Sequence, residues 1–212
     1  AELNYKEAIE KIKENTSNVY SVAGAFEKKV LLDYALQSYQ LAISIDPRNK
    51  FNYQMALLYG QMGKPDLMIE KYLEEMYENP QNSVMVQNQL SRFMNEDADE
   101  SFNAMLRKAL LVQVQKNQDI FWNQMLSWFF VQQKEYGKAF IQEKAIYKRE
   151  PESFSNIVNL AELAIEENEN EVASEILTFI LENTQDLDLQ IYAHHYLMSI
   201  RISKAKNTDY AA

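Results

Sequence analysis

The sequence predicts an all-α protein, a right-handed α-solenoid of about six helix-turn-helix pairs. Three segments of similar amphipathic pattern each end at a proline; they span 35–47, 68–80 and 139–151. Pro47 and Pro80 lie about 33 residues apart, a period typical of helical repeats. Glycine and proline number only four each, whereas sheets and long loops need more turn residues. A helical array of this kind presents surfaces that bind other molecules.

The amino-acid composition restricts the class of protein further. Hydrophobic residues make up 47% of the 212 residues, which fits a folded chain and excludes a disordered one. No linker separates one helical pair from the next, so we expect a single repeat domain over residues 1–212. The formal net charge of −10 repels phosphate backbones, so nucleic acid is not an expected partner.

Several chemistries are excluded by the residue content. The chain has no cysteine, which excludes disulfides, thiolate zinc sites and cysteine nucleophiles. No apolar run approaches the roughly 20 residues of a membrane span. The chain begins at Ala1 and not at methionine, so we interpret it as a mature form or as part of a longer protein.

The first half of the chain predicts helices at regular intervals. Apolar residues at helical spacing mark each one, and a turn signal separates it from the next. Asn49 is the predicted N-cap of the helix that ends at Met62. Gly63 allows a positive φ, and Pro65 suits the first position of the following helix. The predicted helices are 5–14, one that contains Val19 to Phe26, 32–45, 49–62, 65–77, one that begins near Asn82, and 99–115.

The second half repeats this alternation. Asp119 and Ser153 are predicted N-caps, and the residues from Lys134 to Gly137 form a turn between two helices. The remaining predicted helices are one from Asp119 that contains Phe121 to Phe129, then 139–148, 153–165, 172–181 and 187–202. The total is roughly twelve helices in six pairs.

This pattern resembles the tetratricopeptide repeat (TPR). In that family a small residue, an aromatic residue four positions later and an alanine three positions after that mark the second helix of a unit, which proline closes. The matching residues are Ala35, Tyr39, Ala42 and Pro47, then Met55, Ala56, Tyr59, Gly63, Tyr72 and Pro80, then Leu126, Ser127, Phe130, Ala139 and Pro151, then Leu160, Ala161, Ala164 and Ala173. Met68 departs from the pattern because it replaces a small residue, and the unit from Val86 to Val112 lacks the closing proline. The resemblance implies that Ala35, Ala42, Ala56 and Ala139 are buried where helices cross.

A narrower resemblance covers the segment from Leu106 to Arg149. Its strings Leu110–Asn117 and Ser127–Phe140 are similar to large exported TPR proteins of the Bacteroidetes cell envelope. This implies a place in the periplasm or at the outer membrane, in a membrane-associated complex. The cytoplasm is the alternative.

No catalytic or metal-binding constellation is visible in the sequence. The two close glycines, Gly60 and Gly63, do not form a phosphate loop, and the nucleophile-elbow pattern is absent. His194 and His195 are adjacent on a helix, so they point about 100° apart and are poorly placed to share a metal. The acidic runs at 95–100 and 166–171 lack the glycine and the last glutamate of a calcium loop, and we interpret them as solvated turns. We therefore expect no enzyme activity, cofactor or metal.

The repeat phase instead predicts a binding groove for a protein or peptide partner. One ladder of groove positions contains Tyr20, Tyr53, Gln87 and Gln124, and a second contains Lys28, Gln61, Asn95 and Gln132. Phe121 and Trp128 also fall on groove positions, whereas Phe130 falls on an inward one. Amide side chains donate to and accept from a peptide backbone, and aromatic faces add contact area. The candidate partner-binding residues are Tyr20, Tyr53, Gln61, Gln87, Phe121, Gln124, Trp128 and Gln132.

Two other functions remain open at this point. A carbohydrate-binding protein or enzyme would use the helical array only as a frame and would bring polar side chains together in one pocket. A structural segment of a larger protein would expose apolar faces at its ends, since terminal repeats normally carry a polar cap.

Overall fold

The computed structural model describes residues 2–96, 100–151 and 153–209, and within these ranges it contains helices and turns but no strand. The all-α prediction is confirmed. The helices are α1 Glu2–Glu14, α2 Val19–Lys28, α3 Leu32–Ile45, α4 Asn52–Gln61, α5 Pro65–Glu78, α6 Ser83–Glu96, α7 Ser101–Lys116, α8 Ile120–Gln132, α9 Tyr136–Arg149, α10 Ser155–Glu166, α11 Asn170–Asn183 and α12 Leu187–Asp209.

The chain divides into two compact units, residues 1–109 and 110–212. In the first unit α2 pairs with α3 and α4 with α5, and each pair packs on the next through its second helix. α1 lies against both α2 and α3. In the second unit α8 pairs with α9 and α10 with α11, α9 packs on α10, and α12 packs on α11. Each unit is thus built of consecutive helical hairpins, as the TPR-like pattern predicts. The prediction of one domain over 1–212 stays a prediction.

Four hairpin turns share one backbone conformation. In each, the second residue after the first helix has a positive φ; these residues are Val30, Gly63, Lys134 and Asn168, with φ between 56° and 68°. The next residue in each turn donates its N–H to the carbonyl five positions earlier, for example Lys64 to Tyr59 at 2.9 Å and Glu135 to Phe130 at 2.8 Å. This is the Schellman closure of a helix C-terminus. Gly63 is as predicted, while the other three turns adopt the same conformation without glycine.

Small residues allow the close crossing of the paired helices. Ala35, Ala42, Ala56 and Ala139 each have 0% of their surface exposed, so the predicted burial is confirmed. Large apolar and aromatic side chains fill the rest of the interior. Those that are almost fully enclosed include Ile12, Tyr72, Leu90, Leu106, Phe129 and Phe140.

The departure at Met68 has a structural explanation in Gly60. A Cβ atom placed on Gly60 would lie only 2.8 Å from the sulfur of Met68, and Met68 is 1% exposed. The large residue at the start of α5 therefore occupies the space that a side chain on α4 would otherwise take. The crossing is preserved because a large residue faces glycine instead of one small residue facing another.

The predicted helix caps are only partly right. Asp119 is the N-cap of α8, and its carboxylate accepts from the N–H of Phe121 at 2.9 Å. The prediction for Ser153 is wrong, because Phe154 is the N-cap of α10; the hydroxyl of Ser153 accepts from the N–H of Ser155 at 3.1 Å just before that helix. The prediction for Asn49 is wrong, because α4 begins three residues later at Asn52. Phe51 precedes that start and is 3% exposed, so burial of an aromatic side chain, and not a polar cap, sets the beginning of this helix.

The acidic run at 95–100 includes residues 97–99, which lie outside the described part of the chain. Among the described residues, no helix is long and apolar enough to cross a bilayer.

Candidate functional site

A cleft of about 320 Å³ opens in the second unit. Its sides are formed by α8 and α10, the first helices of two successive hairpins, and α9 contributes one residue. The volume lies at the low end of the range of about 300–1,000 Å³ typical of ligand sites, which suits one or two side chains of a longer ligand. The lining residues are Gln124, Ser127, Trp128, Val131, Glu143, Asn156, Asn159, Leu160 and Leu163.

The polar base of this cleft is a buried carboxylate. Glu143 on α9 is 8% exposed, and Ser127 on α8 is 4% exposed. The hydroxyl of Ser127 donates to Oε1 of Glu143 at 2.5 Å. A carboxylate removed from water is costly unless it accepts hydrogen bonds, and bonds to a charged acceptor are the stronger ones. Ser127 thus supplies one donor, and a carboxylate has room to accept several.

A second polar contact fixes α8 against α9 next to the cleft. The amide of Asn123 donates to Oε1 of Gln142 at 2.9 Å. Arg149, in the last turn of α9, donates to the carbonyl oxygen of Gln118 at 2.9 Å. These bonds hold the register of the two helices and therefore the position of Ser127 opposite Glu143.

The rim of the cleft combines amides with apolar surface. Gln124, Asn156 and Asn159 are exposed, and Trp128 is half-buried. The apolar part of the lining is formed by Val131, Leu160 and Leu163. Exposed amides can pair with the N–H and C=O groups of an extended chain, while the indole offers a flat apolar face. No lysine or arginine is among the described residues that line the cleft.

The structure brings together two of the four candidate residues in the second unit. Gln124 and Trp128 line the cleft, as one turn of α8 separates them. Phe121 and Gln132 lie at the two ends of α8 and outside the lining; Phe121 packs edge-on against Trp122 with ring centroids 4.9 Å apart. Phe130 is 5% exposed, so its predicted inward position is confirmed.

The four candidate residues of the first unit occupy three helices. Tyr20 on α2 is 60% exposed and its ring rests 5.6 Å from that of Phe51. Tyr53 on α4 is half-buried beside Tyr72, with ring centroids 5.9 Å apart. Gln61 is exposed at the end of α4, and Gln87 is half-buried on α6. A binding role for these four residues stays a prediction.

Sequence reasoning missed most of the second wall of the cleft. Asn156 and Asn159 follow Gln124 at roughly one repeat period, so continuing the first ladder by one unit would have found them. Leu160 was recognised only as a motif position. Glu143 carried no signal, because a single glutamate in a helix is ordinarily a solvated residue.

His194 and His195 are both exposed on α12, and the ring of His195 lies edge-on to Tyr196. Within the described ranges no group of three or more histidine, aspartate or glutamate side chains is arranged to hold a metal ion.

Fold and cleft together define an all-α, TPR-like protein made of helical hairpins. No protein-family model matches the chain, and no curated protein matches it significantly in sequence. Among solved structures the chain is similar to a thermophilic TPR protein from Thermus thermophilus. The identity is 17% and the TM-score 0.39, over 86% of this chain and 98% of that one.

Proposed function

We propose that this protein is a non-catalytic binding scaffold that holds an extended peptide segment of a protein partner between α8 and α10. The observation that carries the proposal is the cleft itself. It combines exposed amides, the face of Trp128 and the buried carboxylate of Glu143. Amides bind a backbone largely without regard to its sequence, so the aromatic face and the carboxylate would select the side chains.

The charge of the cleft favours a basic segment. Glu143 is the one charged residue among the described lining residues, and the whole chain carries a formal net charge of −10. A lysine or arginine side chain that enters the cleft would donate to a carboxylate that is already removed from water, where such a bond is strong. The same charge opposes binding of nucleic acid, which we do not propose as a partner.

A defined pair of peptide pools tests this proposal. One pool of short labelled peptides has a central lysine with randomised neighbours, and the other has norleucine in its place. We expect fluorescence anisotropy to show tighter binding of the lysine pool. Glu143→Gln keeps the shape and the acceptor for Ser127 but removes the charge, so it should abolish the preference between the pools. Equal binding of both pools by the unaltered protein, or no binding of either, would refute the proposal.

Trp128 provides the second arm of the experiment. If Trp128 contacts the peptide at the centre of the interface, its replacement by alanine should weaken peptide binding by about 2 kcal/mol or more, roughly thirtyfold in Kd. If Trp128 is instead a packing residue, the same change should cost about 3–5 kcal/mol of stability. Tyr77→Ala, at an aromatic residue on α5 that is 47% exposed, is the control for general loss of aromatic surface. A Trp128→Ala protein with unchanged melting temperature and unchanged affinity contradicts both roles.

We also propose that the scaffold acts in a cell-envelope complex, in the periplasm or at the outer membrane. The support is the resemblance of the segment from Leu106 to Arg149 to exported envelope proteins. Fractionation of cells that express the chain in its natural context tests this, and recovery in the cytoplasmic fraction would favour the alternative.

A further inference from the structure

The α8–α9 hairpin differs from three other hairpins at a pair of positions inside the helix crossing. The four hairpins align on the residue of positive φ in their turns. Seven positions before that residue lies a buried residue of the first helix, and nine positions after it lies a buried residue of the second helix. These pairs are Ala23 and Tyr39, Ala56 and Tyr72, Ser127 and Glu143, and Ala161 and Leu177. A serine and a glutamate thus stand where the other three hairpins have an alanine and a large aromatic or aliphatic side chain.

The fold does not require this polar pair. Alanine is compatible with the crossing at the position of Ser127, since Ala161 is fully buried at the equivalent position of the next hairpin. A carboxylate in the interior is costly unless it accepts hydrogen bonds, and among the described residues Ser127 is the one hydrogen-bond partner of Glu143. Residues that break the pattern of a fold at a cost in stability are expected at functional sites, and both of these residues line the cleft.

The cleft offers acceptors that match a primary ammonium group. The hydroxyl of Ser127 donates its proton to Glu143 and keeps lone pairs that can accept. Glu143 has further acceptor capacity, and amide oxygens lie at the rim. The ammonium of lysine has three donors, and its four-carbon stem buries readily along apolar surface. The apolar surface of the cleft is formed by Trp128, Val131, Leu160 and Leu163.

Arginine fits the same cleft poorly. Its guanidinium has five N–H donors in a rigid planar fork, which pairs best with both oxygens of a free carboxylate. Ser127 already donates to one oxygen of Glu143, so the fork would compete with that bond. The remaining N–H groups would lie against the apolar lining, and a buried donor without a partner is costly.

We infer that the cleft binds the unmodified primary ammonium of a lysine in preference to arginine, and that Ser127 is the specificity-determining residue. The inference rests on the proposed function, because it requires a peptide segment to enter the cleft. It also implies that modification of the partner's lysine prevents binding. Acetylation removes the charge and places a carbonyl oxygen against a carboxylate, whereas trimethylation keeps the charge but removes all three donors.

Labelled peptide pools that differ only in the central residue test the inference by fluorescence anisotropy on the full chain. The central residues are lysine, arginine, acetyl-lysine, trimethyl-lysine and norleucine. The lysine pool should bind at least about tenfold tighter than the arginine pool, and the two modified pools should bind no better than norleucine.

The outcomes separate this inference from the proposed function. Equal binding of the lysine and norleucine pools overturns both. Lysine binding that exceeds norleucine binding but equals arginine binding leaves the proposed function standing and overturns only the selectivity. Tighter binding of trimethyl-lysine than of lysine also overturns it, because the face of Trp128 would then select the cation without hydrogen bonds.

Ser127→Ala tests the role of the hydroxyl. The change removes one acceptor for the ammonium and frees the carboxylate of Glu143 for the fork of arginine, so the preference for lysine over arginine should fall to about one. Ser38→Ala is the matched control, because the hydroxyl of Ser38 is also buried and donates to the carbonyl oxygen of Tyr34 at 2.8 Å, outside the cleft. It should leave the preference unchanged.

Melting temperatures establish that both variants are folded. If Ser127→Ala is unfolded at the assay temperature, Ser127→Cys replaces it, since a thiol has a similar shape but donates and accepts only weakly. A folded variant at position 127 that keeps the full preference for lysine overturns the role of Ser127, as does an equal loss of preference in the Ser38→Ala control.

Discussion

Replacing Val30 measures how much conformational strain one hairpin turn contains. Its φ of 57° lies in the left-handed region, where a residue with a Cβ is disfavoured by about 1–2 kcal/mol. Its side chain is 75% exposed, so replacing it sacrifices little buried surface. At the equivalent turn position the chain has Gly63, with φ of 68°. The first turn therefore keeps a β-branched residue where the second has the residue best suited to that conformation.

The left-handed φ and the exposure of Val30 set the expected gain in the free energy of unfolding. Val30→Asn should stabilise the protein by about 1 kcal/mol, since asparagine tolerates the left-handed region. Val30→Gly should gain somewhat less, because glycine loses about 0.5–1 kcal/mol more backbone entropy on folding. For a chain of this length, a change of 1 kcal/mol shifts the melting temperature by about 2–4 °C.

Thermal unfolding followed by circular dichroism is the assay, with two controls. Val84 is 69% exposed in the regular helix α6, so Val84→Asn should leave the melting temperature nearly unchanged, given the similar helix propensities of the two residues. Gly63→Val should lower it. If Val30→Asn and Val30→Gly both leave the melting temperature unchanged or lower it, the turn is not strained in the way its φ implies.

Two further predictions concern the helix crossings of the first unit. Gly60→Ala should destabilise the chain with Met68 present, because the new Cβ would lie 2.8 Å from its sulfur; in a Met68→Ala background it should instead stabilise by about 1 kcal/mol. A double-mutant cycle of urea unfolding measures this coupling, and additive effects would contradict the packing. Tyr72→Phe should be neutral or stabilising, since the buried hydroxyl has no partner among the described residues, whereas Tyr39→Phe should cost about 1 kcal/mol by removing its 3.1 Å hydrogen bond to Glu27. Equal losses from the two tyrosine changes would show that the hydroxyl of Tyr72 is bonded, for instance to a buried water.

The hairpin pattern was predictable because it depends on features local in sequence. Proline and the small residues mark helix ends and crossings, and the four predicted alanines are all fully buried. The predicted cap at Asn49 was wrong because the start of a helix also depends on contacts that are distant in sequence. Local preference favoured asparagine, but a tertiary contact, the burial of Phe51, decides where α4 begins. Similarly, no local signal could show that Val30 adopts the conformation of Gly63.

The candidate site was harder to predict than the fold. Repeat phase identified Gln124 and Trp128, which lie in one cleft, because equivalent positions in a repeat face the same side. It did not identify Glu143, whose importance depends on burial beside Ser127 and not on its type or spacing.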